Sequence, residues 1–183
     1  MKKFSIFFAF VLIAGMTCNA QLFKFGISAG LGDQAPIFEG SLSDKAPVRA
    51  GATAEFILPI IGLGVEGSLL YENSPLMYAN TSMFTDRYSF LKIPVAVKWR
   101  IGIPLVKVFL TLGPYYSMSW DKDLKNSVNE DSFSFFGLET SVGAEILNKI
   151  HVRIGYNYPL FSDTQKVVYD RNSSIFLGLG YWF

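Results

Sequence analysis

The chain has 183 residues, with 16 basic and 15 acidic residues and a formal net charge of +1. Lys2 and Lys3 lie among the first 20 residues, so residues 21–183 have 14 basic and 15 acidic residues. A near-neutral chain excludes the basic footprint of a nucleic-acid-binding protein. The only cysteine, Cys18, lies in the same segment. The remainder would therefore have no disulfide, no thiolate nucleophile and no cysteine metal ligand, and its length fits one domain.

The amino terminus has the pattern of a secretory signal. Lys2 and Lys3 precede an apolar run over residues 4–15, and small residues at 18–20 come before Gln21. About 18 apolar residues are needed to span a membrane as a helix, which is more than this run offers. We therefore predict a cleaved signal peptide over 1–20 and a single domain over 21–183.

A lipoprotein signal is the alternative for this segment, with Cys18 as the lipidated residue. Such signals have an aliphatic residue three positions before the cysteine and a small one directly before it. Gly15 and Thr17 stand at those positions here. The cleaved secretory signal is therefore the better interpretation.

After the signal, apolar and polar residues alternate with a period of two, which is typical of half-buried strands. Eight stretches show this pattern: 23–32, 48–58, 61–72, 89–101, 105–118, 133–146, 150–158 and 174–183. The connections between them alternate between long (33–47, 73–88, 119–132 and 160–173) and short (59–60, 102–104 and 147–149). An antiparallel meander with all its long connections at one end is the layout of outer-membrane barrels. The predicted fold class is all-β, an eight-stranded antiparallel up-and-down transmembrane β-barrel behind a signal peptide, with both termini on the periplasmic side.

The composition of the two strand faces predicts which one meets lipid. One parity, running from Phe23 to Phe183, is apolar and has no charged residue. Because an eight-stranded barrel has a narrow interior, so many branched and aromatic groups would not fit inside. The other parity holds 12 of the 16 glycines, which suit a narrow lumen, and it also holds the charged residues of the strands. On a lipid face, Arg or Lys at the midplane would cost about 2 to 4 kcal/mol each. We therefore predict a charge network in the lumen. The alternative, a soluble barrel with an apolar interior, is disfavoured. The network comprises Arg49, Glu55, Glu66, Lys92, Lys98, Arg100, Lys107, Glu139, Glu145, His151 and Arg153, with Lys24 on the same parity.

Aromatic residues at the strand ends support this orientation, since amphipathic rings prefer the membrane interfaces. Tyr71, Tyr116 and Tyr158 would lie at the outer interface, and Trp99, Tyr181 and Phe183, with Phe23, at the periplasmic one. Ordinary strand propensity for aromatics is the alternative explanation. Both levels are populated, which favours an aromatic girdle.

The inward charges allow two functions. They could line a narrow pore, with Lys92, Lys98, Arg100, Glu55, Glu66 and Glu145 as a filter, or they could pair and plug the lumen. We favour the plug because eight strands leave little room for a water column. Within it we expect Glu66 beside Lys98 and Arg100, and Glu145 near Arg153.

Enzymatic function is not expected. After the signal there is one histidine, His151, with Glu145 as a possible cross-strand partner and no serine nearby on its strand, so a lumen histidine is favoured over a catalytic one. The oxygen-rich stretch 121–131 lacks the glycine and spacing of an EF-hand and carries Lys122 and Lys125. We therefore predict no catalytic residue, no metal site and no cofactor.

Four segments resemble the PorT-like outer-membrane β-barrel family common in the Bacteroidota. They are LKIPVAVKW at 91–99, LTLGPYY at 110–116, the stretch from Phe136-Gly137-Leu138 to Glu145-Ile146, and RIGYNY at 153–158. The resemblance spans essentially the whole mature chain and implies the fold and the outer membrane. One branch of that family is linked to protein secretion and gliding. No residue of this sequence indicates that role.

The expected partners follow from location. They are outer-membrane lipid, the barrel-assembly machinery through the C-terminal strand, and a protein at the outer loops. The longest loop, 73–88, includes Pro75, Leu76, Met77, Tyr78, Met83 and Phe84, more apolar than a solvated loop needs. It could bind a partner or fold over the barrel mouth. We expect a monomer that binds no nucleic acid.

Overall fold

Eight strands form one closed antiparallel barrel, in which each strand pairs with its neighbours in sequence and β1 pairs with β8. The computed structural model describes residues 22–33, 47–58, 61–77, 84–103, 105–119, 133–162 and 174–183. The predicted signal segment and the acidic stretch 121–131 lie outside these residues. The strands are β1 (Phe23–Asp33), β2 (Val48–Leu58), β3 (Leu63–Met77), β4 (Phe84–Gly102), β5 (Val106–Ser119), β6 (Phe133–Ile146), β7 (Ile150–Ser162) and β8 (Ser174–Trp182).

The predicted eight-stranded antiparallel barrel is confirmed, and the clear differences are the lengths of β3, β4 and β7. Alternation predicts β7 over 150–158, and the strand continues to Ser162. Alternation placed β3 and β4 at 61–72 and 89–101, but their ladder continues from Asn73 opposite Ser89 to Met77 opposite Phe84, with an irregularity between Pro75 and Met77. This stretch carries little alternation of apolar and polar residues, so periodicity alone does not detect it.

The two faces of the wall divide as predicted. Outward side chains such as Val97, Leu112 and Ile154 are apolar and about half exposed, whereas the buried side chains of the inward parity include ten charged groups. An exposed apolar surface that encircles the molecule is far larger than a soluble monomer tolerates. The core of this protein is therefore its lumen.

Tight turns close the end of the barrel that we call the turn side, as opposed to the loop side with the long connections. Between β6 and β7, Leu147 and Asn148 adopt left-handed φ values of 55° and 59°, and the Lys149 N–H donates to the Ile146 carbonyl at 3.0 Å. This is the turn geometry that matches the twist of a hairpin. In the described ranges, no helix has the length and apolar character needed to cross a membrane.

Candidate functional site in the barrel lumen

The turn-side half of the lumen holds a cluster of interlocked ion pairs, the turn-side cluster. Its centre is Lys98, which is completely buried and whose Nζ lies 2.6 Å from Oε2 of Glu55 and 2.8 Å from Oε2 of Glu66. Arg100 Nη1 lies 3.0 Å from Glu55 Oε1 and 3.0 Å from Glu145 Oε2. Two adjacent strands, β2 and β3, thus place two carboxylates side by side, and β4 supplies the cations between them.

Two further cations complete the turn-side cluster. Lys24 Nζ lies 2.6 Å from Glu145 Oε1 and 3.6 Å from Glu55 Oε1. Arg153 Nη1 donates to Glu66 Oε1. Every carboxylate of the cluster therefore meets at least two cations. Because the members come from six of the eight strands, the network crosses the lumen from wall to wall.

A smaller polar group, the loop-side cluster, lies towards the other end. Lys92 Nζ is 2.8 Å from Glu139 Oε2 and donates to Oδ1 of Asn157 at 2.6 Å. Arg49 Nη1 reaches the same carboxylate oxygen at 3.4 Å, and Asn157 Nδ2 donates to Ser174 Oγ at 2.9 Å. These contacts satisfy buried groups that would be costly if unpaired.

Buried aromatic rings pack among the charges, and sequence analysis missed them. The guanidinium carbon of Arg49 lies 3.2 Å from the ring centroid of Phe176, and Lys98 Nζ lies 4.3 Å from that of Phe109 and 5.1 Å from that of Trp182. Such cation–π contacts stabilise desolvated cations. The parity pattern contained a signal for them, since the inward rings pair across strands with glycines: Phe109 with Gly143, Phe176 with Gly155, Tyr115 with Gly137 and Trp182 with Gly26.

The pairing expected within the network is partly corrected by the structure. Glu66 does contact Lys98, but Arg100 bonds to Glu55 and Glu145 instead of Glu66. Glu145 and Arg153 do not pair. Arg153 lies opposite Gly143, which is two residues before Glu145 on β6 and therefore the next position that faces the lumen. The long side chain of Arg153 reaches across the lumen to Glu66.

Lys107 lies at the rim of the barrel and is only partly buried. Its register partner is Glu145, yet Nζ donates to Oδ1 of Asn148 at 2.6 Å. Lys107 thus shares the inward parity without joining the buried ion pairs.

His151 is fully buried, with its ring centroid 4.9 Å from that of Trp182. It lies opposite Glu145 in the register, but neither ring nitrogen has a hydrogen-bond partner among the described residues. Glu145 is already engaged by Lys24 and Arg100. This geometry is that of an imidazole packed in the lumen rather than of an oriented acid–base pair.

The predicted girdle residues all lie exposed on the outer wall. Tyr71 lies within β3, six residues before its end at Met77, and the others lie near the ends of their strands. Tyr71 also exchanges a 2.7 Å hydrogen bond with Ser89 on the neighbouring strand. At the opposite end, the rings of Tyr181 and Phe183 pack edge to face, 5.8 Å apart.

The lumen also contains small cavities. One of about 40 Å³, on the loop side, is lined by residues that include Glu72, Lys92, Tyr115 and Asn157. Another of about 20 Å³ lies between the two clusters and is lined by residues that include Arg49, His151 and Arg153. Volumes of this size hold one or a few water molecules.

A closed barrel with an apolar outer wall and paired charges inside is an integral membrane β-barrel, because lipid accepts apolar side chains and a closed sheet leaves no unpaired edge. The chain belongs to the family described as outer membrane protein beta-barrel domain, whose model matches residues 5–183. It is a small protein of the outer membrane.

The chain is similar to several solved structures. Ail from Yersinia pestis, determined in a phospholipid bilayer nanodisc, is 17% identical over 87% of this chain and 99% of its own, with a TM-score of 0.50, which supports the same fold. OprH from Pseudomonas aeruginosa is 14% identical over 87% and 99% of the two chains, with a TM-score of 0.49. The N-terminal barrel domain of OprF from the same organism is 11% identical over 87% and 97%, with a TM-score of 0.47. No curated protein matches the sequence.

Proposed function

We propose that this protein is a structural and partner-binding barrel whose lumen does not conduct. The observation that carries the proposal is the turn-side cluster. Lys98, which would line a pore, is fully buried between Glu55 and Glu66. An ion crossing the lumen would have to break several buried ion pairs at once, and each broken pair costs about 3 to 5 kcal/mol.

The β3–β4 hairpin supports a role in binding. β2 begins at Val48, opposite Asn73, and β5 ends at Ser119, opposite Phe90. Among the residues that the structure describes, only β3 and β4 continue beyond these points, as a two-stranded ribbon to Met77 and Phe84. In outer-membrane barrels the long connections face the exterior. We therefore propose that this ribbon, with the apolar loop that it carries, binds an extracellular protein.

Several finer assignments belong to the same proposal. Residues 1–20 are a cleaved signal peptide and 21–183 the barrel domain. The chain belongs to the PorT-like branch, is inserted by the barrel-assembly machinery through β8 and its terminal Phe183, and works as a monomer without catalytic activity, cofactor or metal. The lumen charges act as the plug, and Tyr71, Trp99, Tyr116, Tyr158, Tyr181 and Phe183 act as the interfacial girdle. The resemblance of the quoted segments, the parity pattern and the geometry of His151 support these assignments.

The plug is tested by single-channel recording. Protein purified from outer membranes, with its fold verified by the gel shift on boiling, is inserted into planar bilayers. We expect no steady openings from the wild type. Steady openings whose ion selectivity changes in Glu66→Gln or Arg100→Gln would contradict the plug and establish the narrow pore.

The binding role is tested by site-specific photo-crosslinking in intact cells. A photoreactive amino acid at Ser89, at the base of the ribbon, should form adducts with an extracellular protein. The matched control carries the same group at Asn148, in a turn at the opposite end of the barrel. Absence of adducts at Ser89, or the same adducts at both positions, would contradict a partner at the ribbon.

A further inference from the structure

Two arginines and two glycines form one row around the inside of the barrel. The register pairs Arg153 with Gly178, Gly178 with Gly30, and Gly30 with Arg49, across β7, β8, β1 and β2. Since glycine has no side chain, the arginine side chains lie close against the wall at these two positions. A Cβ at Gly178 would meet Cγ of Arg153 at 3.0 Å, and one at Gly30 would meet the carbonyl oxygen of Leu177 at 2.8 Å and Nε of Arg49 at 3.1 Å.

Gly178 and both arginines line the cavity of about 20 Å³, together with residues that include Ser28, Ser68, His151 and Glu139. The volume exceeds the roughly 10 to 15 Å³ needed for one water molecule. It therefore suits a single water molecule or a monatomic ion, and excludes larger solutes.

Arg153 faces this space with an unused pair of donors. Nη1 donates to Glu66, but Nε and Nη2 have no hydrogen-bond partner among the described residues, although the side chain is only 8% exposed. These two N–H groups share one edge of the planar guanidinium and point the same way, which is the geometry that binds an anion. The two ring nitrogens of His151, also on the cavity wall, are likewise without a partner in the described part of the chain. The two guanidinium N–H groups, and the one ring nitrogen that carries the proton in a neutral imidazole, are buried donors that call for an acceptor.

The charge of the lumen favours an anion over a neutral acceptor. Among the described residues, the buried charged side chains comprise six cations and four carboxylates. The half-buried Glu72, opposite Arg49, and Lys107 add one charge of each sign, which leaves an excess of two positive charges. Glu139 is the carboxylate on the cavity wall, and its Oε2 already accepts from both Lys92 and Arg49. A water molecule could accept the free N–H bonds, but it would leave the excess charge buried and uncompensated.

We propose that the lumen binds one monovalent inorganic anion of chloride size between Arg153 and Arg49. The Nε and Nη2 groups of Arg153 donate to it, the charge of Arg49 attracts it from the other side, and His151 and the two serines complete the wall. The anion would be an integral part of the plug. It would make the stability of the barrel dependent on halide concentration.

Bromide replaces chloride and scatters X-rays anomalously, which allows a direct test. Crystals of wild-type protein purified from outer membranes would be grown in sodium bromide. We expect an anomalous peak in the cavity, within hydrogen-bond distance of Nε and Nη2 of Arg153. Density for an ordered water molecule without an anomalous peak would overturn the proposal, as would a shift of Arg153 that pairs its free edge with Glu139.

A second measurement tests binding in solution. Equilibrium unfolding by urea is followed in phospholipid vesicles as sodium chloride replaces sodium gluconate at constant ionic strength, because gluconate is too large for the cavity. Above its dissociation constant, each tenfold increase in chloride should raise the folding equilibrium constant of the wild type about tenfold.

Three variants locate the effect. Arg153→Lys keeps a cation near Glu66 but lacks the two-donor edge. Gly178→Ala places a Cβ 3.0 Å from Cγ of Arg153 and so displaces that side chain from the cavity wall. Both variants should lose the chloride dependence. Gly67→Ala is the matched control, since a Cβ there meets nothing within 4 Å, and it should keep the dependence. The same chloride dependence in all four proteins would overturn the proposal. If Gly178→Ala fails to fold, the chloride dependence of Arg153→Lys and the bromide crystal still test whether the anion binds.

Discussion

Removing the cation at the centre of the turn-side cluster tests whether this cluster is a dry, paired plug. In Lys98→Met the side chain keeps a similar length and can still pack against Phe109, whose ring centroid lies 4.3 Å from Nζ. The carboxylates of Glu55 and Glu66 lose their shared partner at 2.6 Å and 2.8 Å. The perturbation is therefore mainly electrostatic.

The size of the effect follows from burial. Breaking a buried pair by removing one partner costs about 3 to 5 kcal/mol, because it leaves a charge uncompensated. Both carboxylates keep another cation, Glu55 through Arg100 and Glu66 through Arg153. We therefore expect a loss of about 3 kcal/mol in the free energy of unfolding. If Glu55→Gln is added, the combined loss should be smaller than the sum of the two single losses by about 1 to 3 kcal/mol.

The assay is equilibrium unfolding in urea in phospholipid vesicles, followed by tryptophan fluorescence. Lys107→Met is the matched control, because Lys107 lies at the rim and, within the described part of the chain, its Nζ donates to Oδ1 of Asn148 at 2.6 Å and joins no ion pair. Its loss should stay below about 1 kcal/mol. If Lys98→Met were no more destabilising than this control, water would have to screen the cluster, and the reasoning for a dry plug would be refuted.

Three further substitutions probe the wall and a turn, each measured by the same unfolding assay. Gly180→Ala should lower the free energy of unfolding by about 1 to 3 kcal/mol, because a Cβ there overlaps the buried imidazole of His151; an unaffected variant would mean that the ring can move freely. Val97→Arg, on the lipid face, should lower it by about 2 to 4 kcal/mol, whereas Ile61→Arg near the turn side should lower it by at most about 1 kcal/mol, although both side chains are about half exposed; equal losses would contradict the membrane position. Leu147→Asn should raise it by about 0.5 to 1 kcal/mol, since asparagine tolerates the left-handed conformation that Leu147 adopts at φ 55°; a loss would show that the leucine side chain contributes more than its turn conformation costs.

Strand number, order and inside-outside parity could all be predicted from the sequence. Side-chain direction alternates at every residue of a strand, so a lipid face and a narrow lumen select opposite residue types at alternate positions. The apolar run through Val95, Val97 and Trp99 and the charges at Lys98 and Arg100 show this on a single strand. The ribbon at the ends of β3 and β4 was missed because this constraint is absent from that stretch.

The partners within the lumen were decided by tertiary structure alone. Parity places Glu66, Glu145, Arg100 and Arg153 inside, but it does not say which of them meet, because lysine and arginine side chains are long enough to reach across an eight-stranded lumen. The stagger of the strands places Arg153 one row above Glu145 and turns it towards Glu66. The sequence by itself thus determined which residues face lipid and which face the lumen, since that depends only on the period of a strand. The pairing of the charges, the rings packed between them and the cavity beside Arg153 depend on register and closure, which bring together residues that are distant in the chain.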